Sequence, residues 1–304
     1  MSQVQVKSAA AERATFGIEI ECFVPSDKIR RIGGYHRGAA IGGRFPRGWR
    51  AERDGSLSTR KRGYVPVEIV SPVLRGADGL AQVRKVARIL KEWDARVNPT
   101  CGFHVHVGVE SLVGNDANRV ADLVRRMLNL AAHHELAIYG ASGTKRRLNG
   151  RWSASLKNGR WAQKKESLRK KINDATLRRL SCDIGRYQLL NVSPLYSSKR
   201  TVEFRAFAGT MEEVKMVSYI QVALAIATRA MDHNANFDGV NARYASDGAK
   251  GAMKRFFYLM GWTRGRKDWA LPECTVEGWI ADLADLKPVK KELMRLARKF
   301  DEAA

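Results

Sequence analysis

The sequence predicts an α+β protein organised on a mainly antiparallel sheet, in a single domain covering residues 1–304. Short segments at about 15–24, 64–71, 102–109, 186–193 and 200–208 alternate apolar and polar residues with the period of a half-buried strand. Helical periodicity falls unevenly between them and dominates after the last, so the chain does not repeat the strand–helix–strand unit of a parallel sheet. No linker-like composition divides it.

Residues 1–14 read as a lead-in. The first strand then carries Phe16-Gly-Ile-Glu-Ile-Glu21. Successive side chains on a strand point to opposite sides, so Glu19 and Glu21 share one face while Ile18, Ile20 and Cys22 share the other. Residues 28–50 hold six glycines and seven Lys/Arg with no acid, and glycine at that density predicts a long mobile loop. Asp54-Gly-Ser-Leu57 reads as a turn. The next strand contains Val67-Glu-Ile-Val-Ser-Pro72 and stops at the proline. Leu80, Val83, Val86, Leu90 and Trp93 fall at helical spacing and predict an amphipathic helix over 78–96.

Cys101-Gly-Phe-His-Val-His-Val-Gly108 places His104 and His106 on one face of a strand, and a second helix is expected over 116–139. Residues 144–171 contain eleven Lys/Arg and one acid, Glu166. An Asn-Gly-Arg-Trp pattern starts at Asn149 and again at Asn158, which predicts a hairpin or paired turns before a basic helix over 162–180. Leu190-Asn-Val-Ser-Pro194 and Thr201-Val-Glu-Phe-Arg-Ala-Phe207 complete the strands, with Glu203 and Arg205 on one face. Thr210-Met-Glu-Glu213 matches a capping box at the start of an apolar helix running to Met231. Helices follow over 246–260, after a cap at Thr275, and after Pro288, the last carrying Val289, Leu293, Leu296 and Phe300.

The formal net charge of +23 points to a polyanionic partner or substrate and says nothing about fold. Cys22, Cys101, Cys182 and Cys274 are dispersed without zinc-like spacing, and Cys22 and Cys101, which abut polar motifs, are expected to be reduced thiols packed as small buried residues. The first fifteen residues lack an apolar signal core, and no run approaches the roughly 18 apolar residues of a membrane span. The expectation is a cytoplasmic protein with no membrane partner.

The polar strand faces carry the groups of a metal–phosphate site. Carboxylates are hard ligands for Mg²⁺ or Mn²⁺, ions that sit between protein oxygens and substrate phosphates. Glu19 and Glu21 could each hold a different ion, with Glu68 and Glu203 closing the cluster from neighbouring strands. Glu68 lies among Val65, Val67, Ile69 and Val70, where a charge is costly unless paired or ligating. His104 and His106 lack the cysteines or third imidazole of a zinc centre. One of them joining a carboxylate-bound Mg²⁺ or Mn²⁺, and the other donating to a phosphate oxygen, fits better. Glu203 and Arg205 read either as an ion pair or as a base for an arginine that neutralises a transferring phosphoryl group. Asp54, Ser56 and Asn191 are the candidates for substrate contact. Taking one charge out of such a carboxylate cluster, as in Glu19→Gln or Glu21→Gln, is expected to leave the fold as stable or more so.

In this order, Gly17-Ile-Glu-Ile-Glu21, Asp54-Gly-Ser56, Glu68-Ile-Val-Ser-Pro72, Cys101-Gly-Phe-His-Val-His106 and Thr201-Val-Glu-Phe-Arg205 with Gly209-Thr210 resemble the amidoligase family. That family lies within the glutamine synthetase / glutamate–cysteine ligase superfamily of carboxylate–amine ligases. The resemblance covers about residues 16–210. It implies a curved, glutamine-synthetase-like antiparallel sheet whose concave face holds ATP and a small cluster of Mg²⁺ or Mn²⁺ ions. It implies metal ligation by Glu19, Glu21, Glu68, His104 and Glu203, phosphate contact by His106 and Arg205, and a catalytic centre at Glu203 and Arg205. It further implies ATP-dependent amide formation through an acyl phosphate. The carboxylate or amine would sit on a peptide, a cell-wall fragment or a modified nucleobase.

Two other readings compete. A metal-dependent DNA-processing enzyme also combines acids with a basic surface, but wants a lysine beside its paired acids, and Val67-Glu-Ile-Val70 offers none. A nucleic-acid-binding protein without turnover would use the charge alone. Segments 28–50 and 144–171 together hold 18 of the 54 Lys/Arg, with Tyr35, Phe45, Trp49, Trp152 and Trp161 among them. They read either as a surface for single-stranded nucleic acid or as lids over ATP.

Overall fold

The computed structural model describes residues 14–231 (save 36, 60, 149 and 159), 248–260, 262 and 286–303. The expected lead-in up to residue 13 and the Thr275 cap lie outside the described residues. The fold is α+β, with eight strands in one antiparallel sheet. They are β1 (Thr15–Pro25), β2 (Ala39–Ala40), β3 (Arg50–Glu52), β4 (Tyr64–Val70), β5 (Leu74–Arg75), β6 (Gly102–Gly108), β7 (Leu190–Asn191) and β8 (Val202–Ala208). Their order across the sheet is β2-β3-β4-β1-β6-β8-β7, and β5 pairs with the start of β1. Where β4 gives way to β5, the Ser71 side chain takes a ladder position. Its Oγ accepts from Ile18 N at 2.9 Å while Ser71 N donates to Ile18 O at 3.0 Å.

The helices are α1 (Gly76–Glu92), α2 (Glu110–Val113), α3 (Ala117–His133), α4 (Glu135–Gly140), α5 (Lys165–Arg169), α6 (Asp174–Ile184), α7 (Glu213–Arg229), α8 (Gly248–Leu259) and α9 (Leu286–Glu302). Strand β1 is central, and Ile18, Ile20, Cys22 and Val24 are buried in the core. Helix α7 packs on β6 and against α1, α3 and α9, which explains why it is apolar nearly all round. Its Tyr219 stacks on Phe207 at 4.6 Å and meets Phe103 at 5.6 Å. Among the described residues no helix is long and apolar enough to cross a membrane.

Tertiary packing overrides several local expectations. The glycine-rich stretch 28–50 is not simply a loop, because it builds β2 and leads into β3. Trp49 is fully buried, and Phe45 packs 5.1 Å from Trp93. The expected helix over 116–139 divides at His134, which leaves helical geometry with its ring against Phe256, 5.3 Å away. The basic helix over 162–180 divides before Asn173, whose side chain accepts from Thr176 N and starts α6 afresh. Strand 186–193 shrinks to Leu190–Asn191, since Pro194 has no N–H for a ladder and Ser193–Tyr196 turns into a 3₁₀ helix. Thr210 does not cap α7. Its hydroxyl accepts from Glu212 N at 3.1 Å, and the helix begins at Glu213. Of the two Asn-Gly-Arg-Trp patterns, the described residues Arg151, Trp152, Asn158, Arg160 and Trp161 lie in turns, and Ala154 bridges to Gln188; Asn149 and Gly159 lie outside the described residues.

Candidate metal and phosphate site

Strand register assembles the site. Glu52, Glu68 and Glu21 stand directly opposite one another across β3, β4 and β1. Glu19 faces His104 across β1 and β6, and Gly17, His106, Glu203 and Asn191 form a third row across β1, β6, β8 and β7. Directly opposed residues have Cβ atoms roughly 4.5–5.5 Å apart, so each row brings its side chains into contact range. A bulge between Phe103 and Val105 sets Arg205 and Ala206 opposite His104. The extra residue lets Glu203 and Arg205 take the polar face while Phe207 still reaches the core.

Glu19, Glu21, Glu52, Glu68, His104, His106, Asn191 and Glu203 are all buried. His104 Nδ1 lies 3.2 Å from Glu19 Oε2 and 3.3 Å from Glu203 Oε1, and its Nε2 is 3.5 Å from Glu21 Oε1. His106 Nε2 lies 3.1 Å from Glu19 Oε1, with Nδ1 2.9 Å from Thr201 Oγ1. Asn191 Nδ2 donates to Glu203 Oε2 at 2.7 Å, and Arg205 pairs with the other oxygen of that carboxylate. Arg205 Nε donates to Trp152 O at 3.2 Å. Gly102 N donates to Glu21. A Cβ at Gly102 would lie 2.9 Å from His104 Nε2 and 3.2 Å from Glu21 Oε2, so glycine lets both groups close onto the backbone.

The carboxylates are not equivalent. Burial, then the charges of Glu19, Glu21 and Asp54, push Glu68 well above the usual carboxylate range. Burial works the same way on Glu19. There His106, the hydrogen bonds from His104 and His106, and the Lys199 ammonium outweigh it and hold Glu19 well below that range. Burial also opposes ionisation of Glu203, and the Arg205 guanidinium with His104 and His106 prevails. The Cys22 and Cys101 thiols are buried as expected. Burial pushes Cys22 well up and Cys101 to about 11.

Three groups of donors lie with ligand atoms within 4.8 Å of one another: Glu19, Glu68 and His104; Glu19, His106 and Glu203; Glu21, Asp54 and Glu68. Every residue named from the sequence as a metal ligand is in one of them. Only carboxylate oxygens and imidazole nitrogens are offered, the donor chemistry of Mg²⁺ or Mn²⁺. The repulsion that raises Glu68 is of the kind a divalent cation would relieve, so these residues fit such ions. Asp54 comes to Glu21 and Glu68 while keeping its turn, accepting from Ser56 N at 2.7 Å. Ser56 itself is exposed. The Asn191 amide is engaged by Glu203 and Ser193 N.

Three residues here were not legible in the sequence. Glu52 lies beside the glycine-rich loop, where its strand was unrecognised. Lys199 reaches Glu19 Oε1 at 2.6 Å from a turn 180 residues away. Arg147 is buried beside Arg205, although it is one of eleven Lys/Arg in a block that resembles solvated surface. The two basic segments are linked through Arg186 and Tyr187. Arg186 donates to Tyr35 OH at 3.0 Å and to Tyr187 OH at 2.9 Å, and Trp152 lies 4.8 Å edge-on from Tyr187. Tyr35 and Trp152 are exposed there, while Phe45, Trp49 and Trp161 are buried in the core.

A family model described as "Putative amidoligase enzyme" matches residues 12–227. The chain belongs to that family. The stretch shared with the amidoligases contains every donor described above and ends within α7. Among solved structures, the chain is similar to a bifunctional glutathione synthetase from Pasteurella multocida, at 12% sequence identity and a TM-score of 0.40. The match covers 97% of this chain and 51% of that one, so the chain spans about half the length of that enzyme. No curated protein matches it.

Proposed function

We propose that the protein is an ATP-dependent carboxylate–amine ligase that forms an amide bond through an acyl phosphate, using Mg²⁺ or Mn²⁺. The observation that carries this reading is the sharing of Glu19 and Glu68 between overlapping donor groups in an amidoligase. Ions held by such groups would be neighbours, an arrangement suited to a polyphosphate. Glu19, Glu21, Glu68, His104 and Glu203 would hold the ions, with Asp54 and Glu52 at the β3–β4 side. Bound ions supply charge neutralisation and in-line orientation. The substrate carboxylate attacks the terminal phosphorus of ATP, breaking its bond to the bridging oxygen and releasing ADP. An amine then attacks the acyl carbon of the resulting acyl phosphate, losing a proton and displacing phosphate to leave the amide. Arg205, oriented by Glu203 and the Trp152 carbonyl, stabilises the charge on the transferring group. Exposed Tyr35 and Trp152 at the rim suit a substrate carried on a peptide, cell-wall fragment or nucleobase. ATP hydrolysis measured with and without candidate acids and amines tests the reading; turnover indifferent to an acceptor amine would sink it.

A second reading has one specific observation in its favour. The lysine wanted by a metal-dependent nuclease stands beside Glu19 as Lys199. Metal-dependent DNA cleavage without nucleotide, abolished by Lys199→Ala, would favour it over the ligase.

The two histidines divide the roles. His104→Ala is expected to raise the metal concentration needed for activity several-fold, whereas His106→Ala raises the apparent KM for ATP. Titrations of metal and of ATP separate them. A metal shift in both variants would assign His106 to the Glu19–Glu203 ion position instead.

A further inference from the structure

Two arginines are buried among the described residues, Arg126 and Arg147. Arg126 is paired with Asp122 one helical turn away. Arg147 has no ion pair among the described residues, and its Nε has no hydrogen-bond partner although it is sequestered from solvent. Its Nη2 donates to the carbonyl of Arg205. The backbone around it is fixed, since its own carbonyl accepts from Ser153 Oγ at 2.9 Å and Gly150 N at 3.2 Å. A Cβ at Gly102 would lie 3.0 Å from Arg147 Nη2, close beside His104 Nε2 and Glu21 Oε2. The guanidinium therefore sits at the end of the acid–imidazole cluster, bonded to the backbone of Arg205 and within electrostatic range of that residue's own guanidinium.

A buried cation without a direct ion pair is unfavourable, and a fold gains nothing from it that an apolar chain of equal volume would not supply. Burial is the largest influence on Arg147 and disfavours its charge, as does the Arg205 guanidinium; Glu21, and behind it Tyr139 and Cys101, favour the charge without outweighing burial. Two arginines within electrostatic range of each other, one with an unsatisfied Nε, have a chemical complement, an oxyanion accepting from both planar groups.

We infer that Arg147 and Arg205 form an oxyanion pocket at the edge of the cation cluster, occupied by a phosphate-type or carboxylate group of the substrates. Resting on the ligase reading, the anion is either the terminal phosphate of ATP or the carboxylate that receives it. The pocket itself requires only the two guanidinium groups.

The test compares wild type with Arg147→Met, an apolar chain of similar length, and Arg147→Lys, which keeps charge without the fork. Melting temperatures are measured in EDTA with and without millimolar orthophosphate. Orthophosphate is expected to raise the wild-type value and not that of Arg147→Met. The unliganded Met variant should melt at or above wild type, because an unpaired charge is gone. A lowered melting temperature with an undiminished phosphate response would make Arg147 a structural cation and overturn the proposal. Should the Met variant fail to fold, the Lys variant decides: a fork predicts at least tenfold weaker phosphate binding, and wild-type binding overturns it. With Mg²⁺ present, a loss of affinity for a non-hydrolysable ATP analogue but not for ADP assigns the terminal phosphate. A loss for glutarate alone assigns the carboxylate. An orthophosphate response without any nucleotide response would keep the pocket and defeat the ligase reading.

Discussion

Glu19→Gln and Glu68→Gln are each expected to abolish amine-dependent ATP turnover, by at least about 10²-fold, yet to move the stability of the metal-free protein in opposite directions. Both carboxylates belong to two of the three donor groups, so either loss should disrupt more than one ion position. In the absence of metal they differ. Glu19 accepts from Lys199 and lies against His104 and His106, so an amide there leaves buried partners poorly satisfied. The expected loss is about 1–3 kcal/mol. Glu68 is the carboxylate its neighbours repel, and its neutralisation should stabilise. The sequence-based expectation that Glu19→Gln holds or raises stability is thus reversed by the cations that the fold brings to it.

The pH dependence follows from the directions of the shifts. Glu19 titrates lower folded than unfolded, so its contribution is present above the unfolded value and is lost as pH falls through the folded one. The deficit of Glu19→Gln should be full near neutrality and shrink in acid. Glu68 titrates higher folded than unfolded, so stability declines as pH rises from the ordinary carboxylate value through the folded one. The advantage of Glu68→Gln should therefore grow with pH. Thermal denaturation in EDTA across the acid-to-neutral range measures both. Equal shifts of one sign would contradict the charge distribution described here.

Arg205→Lys is expected to lose nearly as much turnover as Arg205→Ala, about 10²-fold or more, with little loss of stability. The guanidinium uses separate nitrogens for Glu203 and the Trp152 carbonyl, which fixes its plane. A lysine can keep the ion pair with Glu203 but cannot hold that plane or present a second donor to a phosphoryl oxygen. Steady-state kinetics beside melting curves distinguish the roles. A lysine variant with most of its activity would make Arg205 simply the partner of Glu203.

Much of the site was legible because strand alternation is local. Two-residue spacing alone placed Glu19 with Glu21, His104 with His106 and Glu203 with Arg205, and Glu68 announced itself as a charge in an apolar strand. The antiparallel α+β class followed from the uneven distribution of strands and helices. What the sequence could not supply was register between distant strands. Only pairing sets Glu52 opposite Glu68, and only the turn after the 3₁₀ helix carries Lys199 to Glu19. Burial was hidden for the same reason. Arg147 and Trp49 read as members of basic, glycine-rich surface, because whether a side chain is covered depends on segments far away in the chain. The sequence by itself determined which chemical groups share a face. The tertiary structure decided which of them are neutralised by a partner and which remain charged and unpaired, since electrostatic energies depend on through-space distance and solvent exclusion, neither of which has a local signature.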